Sequence, residues 1–334
     1  SEIAVRTVAA IAHTLGLPGV KPEAAEVATD KSLMRKCFER HGVPSTISRT
    51  CWSLEEAEAH MRDLGLPIVT KPADNAGSRG VSLVEESGDL PAAYTGALKY
   101  SRRGLVLVED FLPGVEISVE AMVYRGTPRI LALSDKIRTS PPRLLDRTVL
   151  FPSEQPKSVQ DRACEVARLA IQATGVDVAA VHIEQIVTPD GPKMVELAAR
   201  GAGFHVFAGM LPWVTGVDVV AQLIKMSVGE APDLTITQRR GSVLRFPEVP
   251  PGIVKRVAGV EQARQIPGMF DLDVYVKPGD VVRPLTCSSD RVGHILAMAD
   301  TRQEAMEIVC RAERELRIEI EPSTDEAVKR DERH

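Results

Sequence analysis

His182-Ile-Glu184 and Val195-Glu196-Leu-Ala-Ala-Arg200 flank the turn Pro189-Asp190-Gly191-Pro192. In a hairpin these segments pair. Ile183, Gln185 and Val187 alternate with His182, Glu184 and Ile186, so His182 and Glu184 face one side. Carboxylates facing each other from paired strands supply the oxygen ligands that magnesium takes. A magnesium ion held there bridges β- and γ-phosphates and neutralises charge that develops in phosphoryl transfer. Arg200, four residues past Glu196, carries the forked donors that meet a γ-phosphate or an acyl-phosphate bidentately. The plainer reading of the same residues is two surface carboxylates beside an unrelated arginine.

Two upstream segments fit the same chemistry. Lys71 ends a short apolar strand and is followed by Gly77-Ser78-x-Gly80, a pattern in which an ammonium supplies a point charge and small residues let backbone N–H groups close on phosphate oxygens. It is not a Walker A motif, and a glycine/serine hairpin with a solvated lysine reads equally well. Glu109-Asp-Phe-Leu-Pro-Gly-Val-Glu116 places a polar hinge after an apolar strand. Such a hinge offers adenine a dry wall, a backbone carbonyl and an N–H, and Glu116 offers a ribose an acceptor. An ordinary hairpin with an exposed glutamate accounts for it too.

Alternating and helical periodicities place these residues on elements. Residues 1–15 read as an amphipathic helix with Ile3, Val8, Ile11 and Leu15 on one stripe, ended by Gly16-Leu17-Pro18-Gly19. Asp30 caps a helix running to Glu39, and Ser53 with Glu56 caps another over 54–64. Strands follow at 66–71, 81–84 and 105–109, with a helix around 88–100 between the last two. An antiparallel run covers 116–124 and 129–136, residues 139–147 read as loop, and a helix spans 156–174. The hairpin 179–188 and 193–198 carries the acidic pair, and a helix lies near 217–228. Strands at 242–246, 252–257, 271–275 and 293–299, a helix at 301–316 and a strand at 317–320 make a further α+β unit.

The 334 residues suffice for two or three subdomains with a substantial core. Apolar content of 44% and charged content of 26% are ordinary for a globular protein. A net charge of −5 with no basic stretch argues against nucleic acid, and no apolar run reaches the roughly 20 residues of a membrane span. The opening residues do not read as a signal peptide. Five scattered cysteines without a C-x-x-C pattern read as buried reduced thiols, from which a cytoplasmic location is expected.

Taken in order, Asp30-Lys31-x-x-Met34, Lys71 with Gly77-Ser78-x-Gly80, Glu109-x-x-Leu112-x-Gly114-x-Glu116, His182-x-Glu184 and Glu196-x-x-x-Arg200 resemble the ATP-grasp superfamily over residues 25–230. The resemblance implies an α+β fold in which two α+β subdomains sandwich ATP, with a C-terminal α+β extension. It implies that Lys31 and Lys71 bind phosphates, that Gly77–Gly80 is a lid loop, and that Asp110 and Leu112 meet adenine through the backbone. Glu116 would hold the ribose, and Glu109, Phe111, Ile186 and Val195 would complete the ATP site. Glu184 and Glu196 would carry magnesium (two ions, with manganese as a substitute), and Arg200 with Lys71 would act on the transferred phosphoryl group.

Gly201-Ala-Gly-Phe-His205, Thr215-Gly216-Val-Asp218, Lys277-Pro-Gly-Asp280 and Arg291-x-Gly293 are similar to the L-amino-acid ligase and biotin-carboxylase-like branch. That branch has an N-terminal Rossmann-like domain, of which residues 1–20 would be the remnant helix. The expected division is then 21–104 for the first subdomain with phosphate loop 71–80, 105–235 for the second with the metal site, 236–320 for the C-terminal unit and 321–334 for a flexible tail. The branch also implies a homodimer as one assembly.

Ala198 departs from the family, which carries asparagine two residues after the second metal glutamate. Lys136 and Arg138 face either the γ-phosphate and a substrate carboxylate or solvent. His205, Arg283 and Arg291 are further candidates for the substrate pocket, each with a structural alternative. The expected activity is an ATP- and magnesium-dependent ligase joining a small carboxylate to an amine (or thiol) through an acyl-phosphate, on amino-acid-like substrates. A nucleotide-binding module without turnover and a bicarbonate-phosphorylating or carbamoyl-phosphate-type enzyme are the alternatives. Neither nucleic acid nor membrane is expected as a partner.

Overall fold

The computed structural model describes residues 2–141 and 143–322. Three helices open the chain: α1 (Val5–Thr14), α2 (Pro22–Thr29) and α3 (Lys31–Arg40). Val5, Ala9 and Ala12 of α1 are buried, and Val5 and Ala9 join Ala24, Ala25 and Ala28 of α2 in the main core. Alanine faces let the two helices approach closely. The larger residues Ile3, Val8, Ile11 and Leu15 are exposed, so the apolar stripe expected to pack inward faces outward. Asp30 accepts from the N–H groups of Ser32 and Leu33, starting α3 where its cap was expected. The preceding helix α2, opened by Pro22 in the first turn, was not anticipated.

A four-stranded antiparallel sheet follows, built from β1 (Ser48–Cys51), β2 (Ile68–Pro72), β3 (Ser82–Val84) and β4 (Val106–Asp110) in the order β1-β4-β2-β3. Helices α4 (Leu54–Leu64) and α5 (Leu90–Tyr100) cover it through Ala57, Leu90, Ala93, Tyr94 and Ala97. Because β4 pairs inside this sheet, the change of sheet falls after Asp110 and not at residue 105 as expected.

The second sheet has eight strands. Its first five are β5 (Val115–Tyr124), β6 (Thr127–Arg138), β7 (Asp146–Phe151), β8 (Ala179–Thr188) and β9 (Gly191–Ala198), with α6 (Lys157–Thr174) between β7 and β8. After β9 come one π-helical turn (Val206–Met210), α7 (Leu211–Thr215) and α8 (Val219–Ser227). Then follow β10 (Gly241–Arg245), β11 (Gly252–Ala258), α9 (Val260–Arg264), β12 (Met269–Val274), β13 (Val281–Val282), β14 (Gly293–Ala299), α10 (Arg302–Glu315) and β15 (Arg317–Glu321). The large sheet runs β12-β14-β10-β7-β6-β5-β8-β9, and β13-β11-β15 form a small separate sheet.

The C-terminal strands β10, β12 and β14 therefore extend the central sheet, and the expected boundary at 236 cuts through continuous hydrogen bonding. The seam is the pairing of β7 with β10, Val149 opposite Leu244. The β7 side of that seam, Thr148–Phe151, directly follows the segment expected to be loop. Residues 139–147 include Asp146 and Arg147, the start of β7, which two prolines and a charged run hide from a period-2 search.

Alternation along β5 and β8 sets the functional face. Ile117, Val119, Ala121 and Val123 of β5, and Val181 and Ile183 of β8, pack against α6 and the opening helices in the main core. Glu116, Ser118 and Glu120, and His182 and Glu184, consequently point the other way. Tail residues 323–334 lie outside the described residues.

The close fit of α10 against β10 gives a stability prediction. A Cβ at Gly241 would stand 2.1 Å from the Thr301 carbonyl carbon and oxygen, and Thr301 is the residue that caps α10. Gly241→Ala should lower stability by about 1–3 kcal/mol. Urea unfolding followed by circular dichroism measures this, and an unchanged midpoint would contradict the packing described.

Candidate functional site

A cleft of about 900 Å³, open solvent included, lies between the two large sheets. Thirteen of the residues expected to bind ATP and magnesium line it: Lys31, Lys71, Gly77, Ser78, Glu109, Asp110, Phe111, Leu112, Glu116, Glu184, Ile186, Val195 and Glu196. They come from α3, β2, β4, β5, β8, β9 and connecting loops, so only the tertiary fold assembles them.

One wall is a buried lattice of charges. Glu109 on β4 accepts from Arg35 Nε at 2.8 Å and pairs with Lys71 Nζ at 2.5 Å, and all three side chains are under a tenth exposed. Burial pushes the Glu109 carboxyl up, but the two cations outweigh it and hold it at about 2. Burial also pushes the Lys71 ammonium down, and Glu109 offsets this only in part because Arg35 and Lys31 repel it, leaving about 8. One carboxylate shared between two cations satisfies itself better than it satisfies either cation. Lys31 donates to Glu196 Oε1 at 2.8 Å and to the Asn75 carbonyl at 2.9 Å.

The loop 75–80 bends through left-handed backbone at Gly77, Ser78 and Gly80. Ser78 holds that conformation with a side chain, a strained arrangement of the kind found at ligand clamps. Gly80 does not line the cleft. A Cβ there would stand 2.9 Å from the Gly96 carbonyl oxygen and 3.0 Å from Ala97 Cα, so its small size lets the loop seat on α5.

The apolar part of the cleft is made by Val69, Val81, Phe111, Leu112, Leu144, Ile186 and Val195. Asp110 uses its carboxylate on the Thr46 hydroxyl and the Ile47 N–H, while its own N–H donates to the Ile47 carbonyl and its carbonyl accepts from the Thr46 hydroxyl at 3.1 Å. Glu116, the expected ribose acceptor, already accepts from Lys136 at 2.9 Å and pairs with Arg138 at 3.3 Å. Burial raises its carboxyl to about 7, with Lys136 opposing and Asp146 and Glu184 adding to the rise.

At the floor, Glu184 and Glu196 are direct cross-strand partners on β8 and β9. Lys136, buried, contacts Glu116, Asp146 at 3.0 Å and Glu184 at 2.5 Å. Oxygens of Glu116, Asp146 and Glu184 all lie within 4.8 Å of one another. This is an oxygen-only donor set with Glu196 alongside, the chemistry a magnesium ion requires. Lys136 and Lys31 now neutralise these carboxylates. Burial works against the charged Glu184, yet Lys136 and His182 hold it well below the ordinary range.

His182 donates from Nδ1 to Glu120 Oε1 across 2.6 Å, and its Nε2 lies 3.5 Å from Glu184 Oε1. Burial would discharge the imidazole, but Glu120 and Glu184 outweigh it and raise it to about 10. Ala198, the departure from the family pattern, is buried directly opposite His182.

Four expected residues stand elsewhere. Arg200 does not line the cleft; its Nε bonds Glu2 Oε2 at 2.6 Å, because the opening turn folds back over the end of β9. His205 turns toward Asp271, 3.3 Å away. Arg283 lines a separate depression with Thr139, Arg143 and Val249. Arg291 is buried with its guanidinium 3.5 Å from the Phe246 ring centroid and 4.7 Å from that of Phe204. It lines a smaller cavity beside the cleft, shared with Glu120, Lys136, Asp146 and His182. Burial lowers its guanidinium to about 10. The sequence reading missed Arg35, Asp146 and Glu120. Arg35 was findable, since it lies one helical turn after Lys31 on the same face of α3; Asp146 was hidden in the apparent loop.

Comparison with known proteins agrees with this architecture. The family described as "ATP-grasp domain" matches residues 64–207, and that described as "L-amino acid ligase C-terminal domain 2" matches residues 245–321. The uncharacterized protein y4rH of Sinorhizobium fredii is 30% identical over 325 residues, covering 96% of this chain and 67% of the relative. Alanine–anticapsin ligase of Bacillus subtilis is 27% identical over 258 residues, covering 70% of this chain and 54% of the relative. The chain thus spans about half the length of that ligase. Among solved structures, the L-amino acid ligase from Bacillus licheniformis superimposes with a TM-score of 0.83 at 20% identity, over 96% of this chain and 79% of that one. A biotin carboxylase from Campylobacter jejuni gives 0.70 at 21% identity, over 94% and 73%. Among the described residues, no single helix is long and apolar enough to cross a membrane. With most of its cleft inside one matched region and its terminal strands inside the other, the chain belongs to the ATP-grasp superfamily, with the C-terminal domain of the L-amino acid ligases.

Proposed function

We propose that the protein uses Mg-ATP to activate a small carboxylate as an acyl-phosphate and joins it to the amine of an amino-acid-like partner. The observation that carries the reading is the cleft itself, in which Lys31, Arg35 and Lys71 converge beside the cross-strand pair Glu184 and Glu196, with Lys31 bonded directly to Glu196.

The chemistry balances with these groups. A carboxylate oxygen attacks the γ-phosphorus, the bond to the β–γ bridging oxygen breaks, and ADP leaves. The amine then attacks the acyl carbon, phosphate leaves with one original carboxylate oxygen, and the amine gives up a proton. Lys31 and Lys71 balance the polyphosphate charge; Val69, Phe111, Leu112, Ile186 and Val195 give the base a dry wall. Glu184 and Glu196, with Asp146 and Glu116 adjacent, would hold magnesium, which supplies charge neutralisation at the transferring phosphoryl group. Binding a cation there competes with Lys136 and Lys31 for the same oxygens. The neighbouring cavity bearing Arg291 and the His182–Glu120 pair suits a substrate carboxylate and ammonium. A protein of this kind that works on free amino acids and ATP suits the cytoplasm, and a homodimer is compatible with it.

The decisive measurement uses a carboxylate labelled with heavy oxygen in both positions. One label should appear in the released phosphate for every amide formed. Release of unlabelled phosphate, or no ADP release with any carboxylate and amine, would sink the proposal. Glu184→Gln and Glu196→Gln should each lower kcat by about 10²-fold or more. ADP affinity measured without magnesium should stay near that of the wild type, and a loss of both together would point to misfolding.

Lys71 generates a pH dependence. The nucleotide's negative charge favours the protonated lysine, and the free protein holds that group at about 8. ATP affinity should be nearly level just below pH 8 and fall by about tenfold per unit above it, as binding begins to require proton uptake. Isothermal titration in buffers of different ionisation enthalpy reads the uptake directly. Lys71→Arg, always charged, should abolish the slope, and a persisting slope would assign it to another group.

A further inference from the structure

Outside the cleft, His205, Asp271 and His294 bring three metal-ligating side chains together where the segment after β9 meets the edge of the large sheet. His205 Nε2 lies 3.3 Å from Asp271 Oδ2, and His294 Nε2 lies 3.0 Å from the same oxygen. One ligand atom from each residue fits within 4.8 Å of the other two. Four-coordinate zinc with ligands at about 2.0–2.1 Å requires ligand–ligand edges of about 3.3 Å. The spacing already present is close to that of a tetrahedral shell.

The ligands are also held as metal ligands are held. His294 is buried on β14, and its Nδ1 is 2.6 Å from the Tyr275 hydroxyl, which fixes the ring and leaves Nε2 for the shared oxygen. A metal-bound imidazole commonly has its second nitrogen hydrogen-bonded in this way. Asp271 sits on β12 opposite Leu296 of β14, so two paired strands supply Asp271 and His294 rigidly. His205 comes from the other side. It and Phe204 both occupy left-handed backbone, at φ of 62° and 48°, immediately before the π-helical turn. That costly conformation turns the His205 ring, 5.5 Å from the His294 ring, toward Asp271.

We propose that His205, Asp271 and His294 form a zinc-type divalent transition-metal site, with a fourth coordination position open to solvent on the exposed side of His205. Two imidazoles and one carboxylate suit zinc and do not suit the magnesium of the cleft. A cation bound there clamps the 203–210 segment to the sheet edge. Phe204, the neighbour of His205, forms part of the small cavity beside the cleft and stacks edge-on to Phe246 at 4.9 Å. The site would therefore order one wall of that cavity without contacting nucleotide.

Zinc and cobalt binding to the whole protein, by equilibrium dialysis and visible absorption, test the assignment. The wild type should bind one equivalent at this site, with the intense ligand-field bands of four-coordinate cobalt, and zinc should raise its melting temperature. His205→Ala, a change at a half-exposed side chain that does not endanger the core, should weaken that binding at least tenfold, as should Asp271→Asn and His294→Ala. Tyr275→Phe should weaken it roughly 10–100-fold, as loss of a supporting partner does. Glu184→Gln should leave it unchanged. No tightly bound equivalent in the wild type, equal binding in His205→Ala, or loss in Glu184→Gln would each overturn the site.

Discussion

Glu109 buried between Arg35 and Lys71 is the interaction on which the cleft depends. Glu109 belongs to the four-stranded sheet and Arg35 to α3, and Arg35 also donates to the Val195 carbonyl on β9 of the large sheet at 2.6 Å. One guanidinium thus ties the two sheets that form opposite walls. Removing one partner of such a buried group leaves an uncompensated charge, at a cost of about 3–5 kcal/mol. The same arrangement leaves the Lys71 ammonium only partly compensated, at about 8, where it lines the cleft. Structural rigidity and readiness for an anion come from one set of charges.

A second cluster repeats this logic with the signs exchanged. Lys136 lies among Glu116, Asp146 and Glu184, and the acidic groups outnumber it. Oxygen ligands converge there, and burial, with Asp146 and Glu184 adding to it, raises the Glu116 carboxyl to about 7. A lattice with surplus positive charge in one cluster and surplus negative charge in the other matches a polyphosphate lying beside its counter-ion. Neither cluster satisfies itself fully.

Much of this was legible in the sequence. Alternation along 179–188 and 193–198 placed Glu184 opposite Glu196, and Asp30 and Ser53 marked helix starts through capping oxygens that the structure shows bonded. What stayed hidden required distance in space. The β7–β10 seam joins segments about ninety residues apart, so nothing local told that the C-terminal strands extend the central sheet. The helix α1 misled because its buried face is alanine, chosen for close approach to α2, while its large apolar residues face out. Arg200 and His205 were assigned by order in the chain, whereas their partners, Glu2 and Asp271, come from remote elements.

Continuity of the sheet also explains how the C-terminal strands bear on a site they do not line. The Ser288 N–H donates to the Gly77 carbonyl across 3.3 Å, and Arg143 donates to the Ser82 hydroxyl at 2.8 Å. The phosphate loop is thereby braced on one side by the short helical turn before β14 and on the other by the segment leading into β7. Both braces hang from neighbouring regions of one hydrogen-bonded sheet, β14 reaching β7 through β10. A displacement of the C-terminal strands therefore moves the loop's supports, while Lys71, anchored by Glu109 in the other sheet, stays in place. Arg35, bonded to Glu109 in one sheet and to Val195 in the other, ties the supports of the loop to those of Lys71.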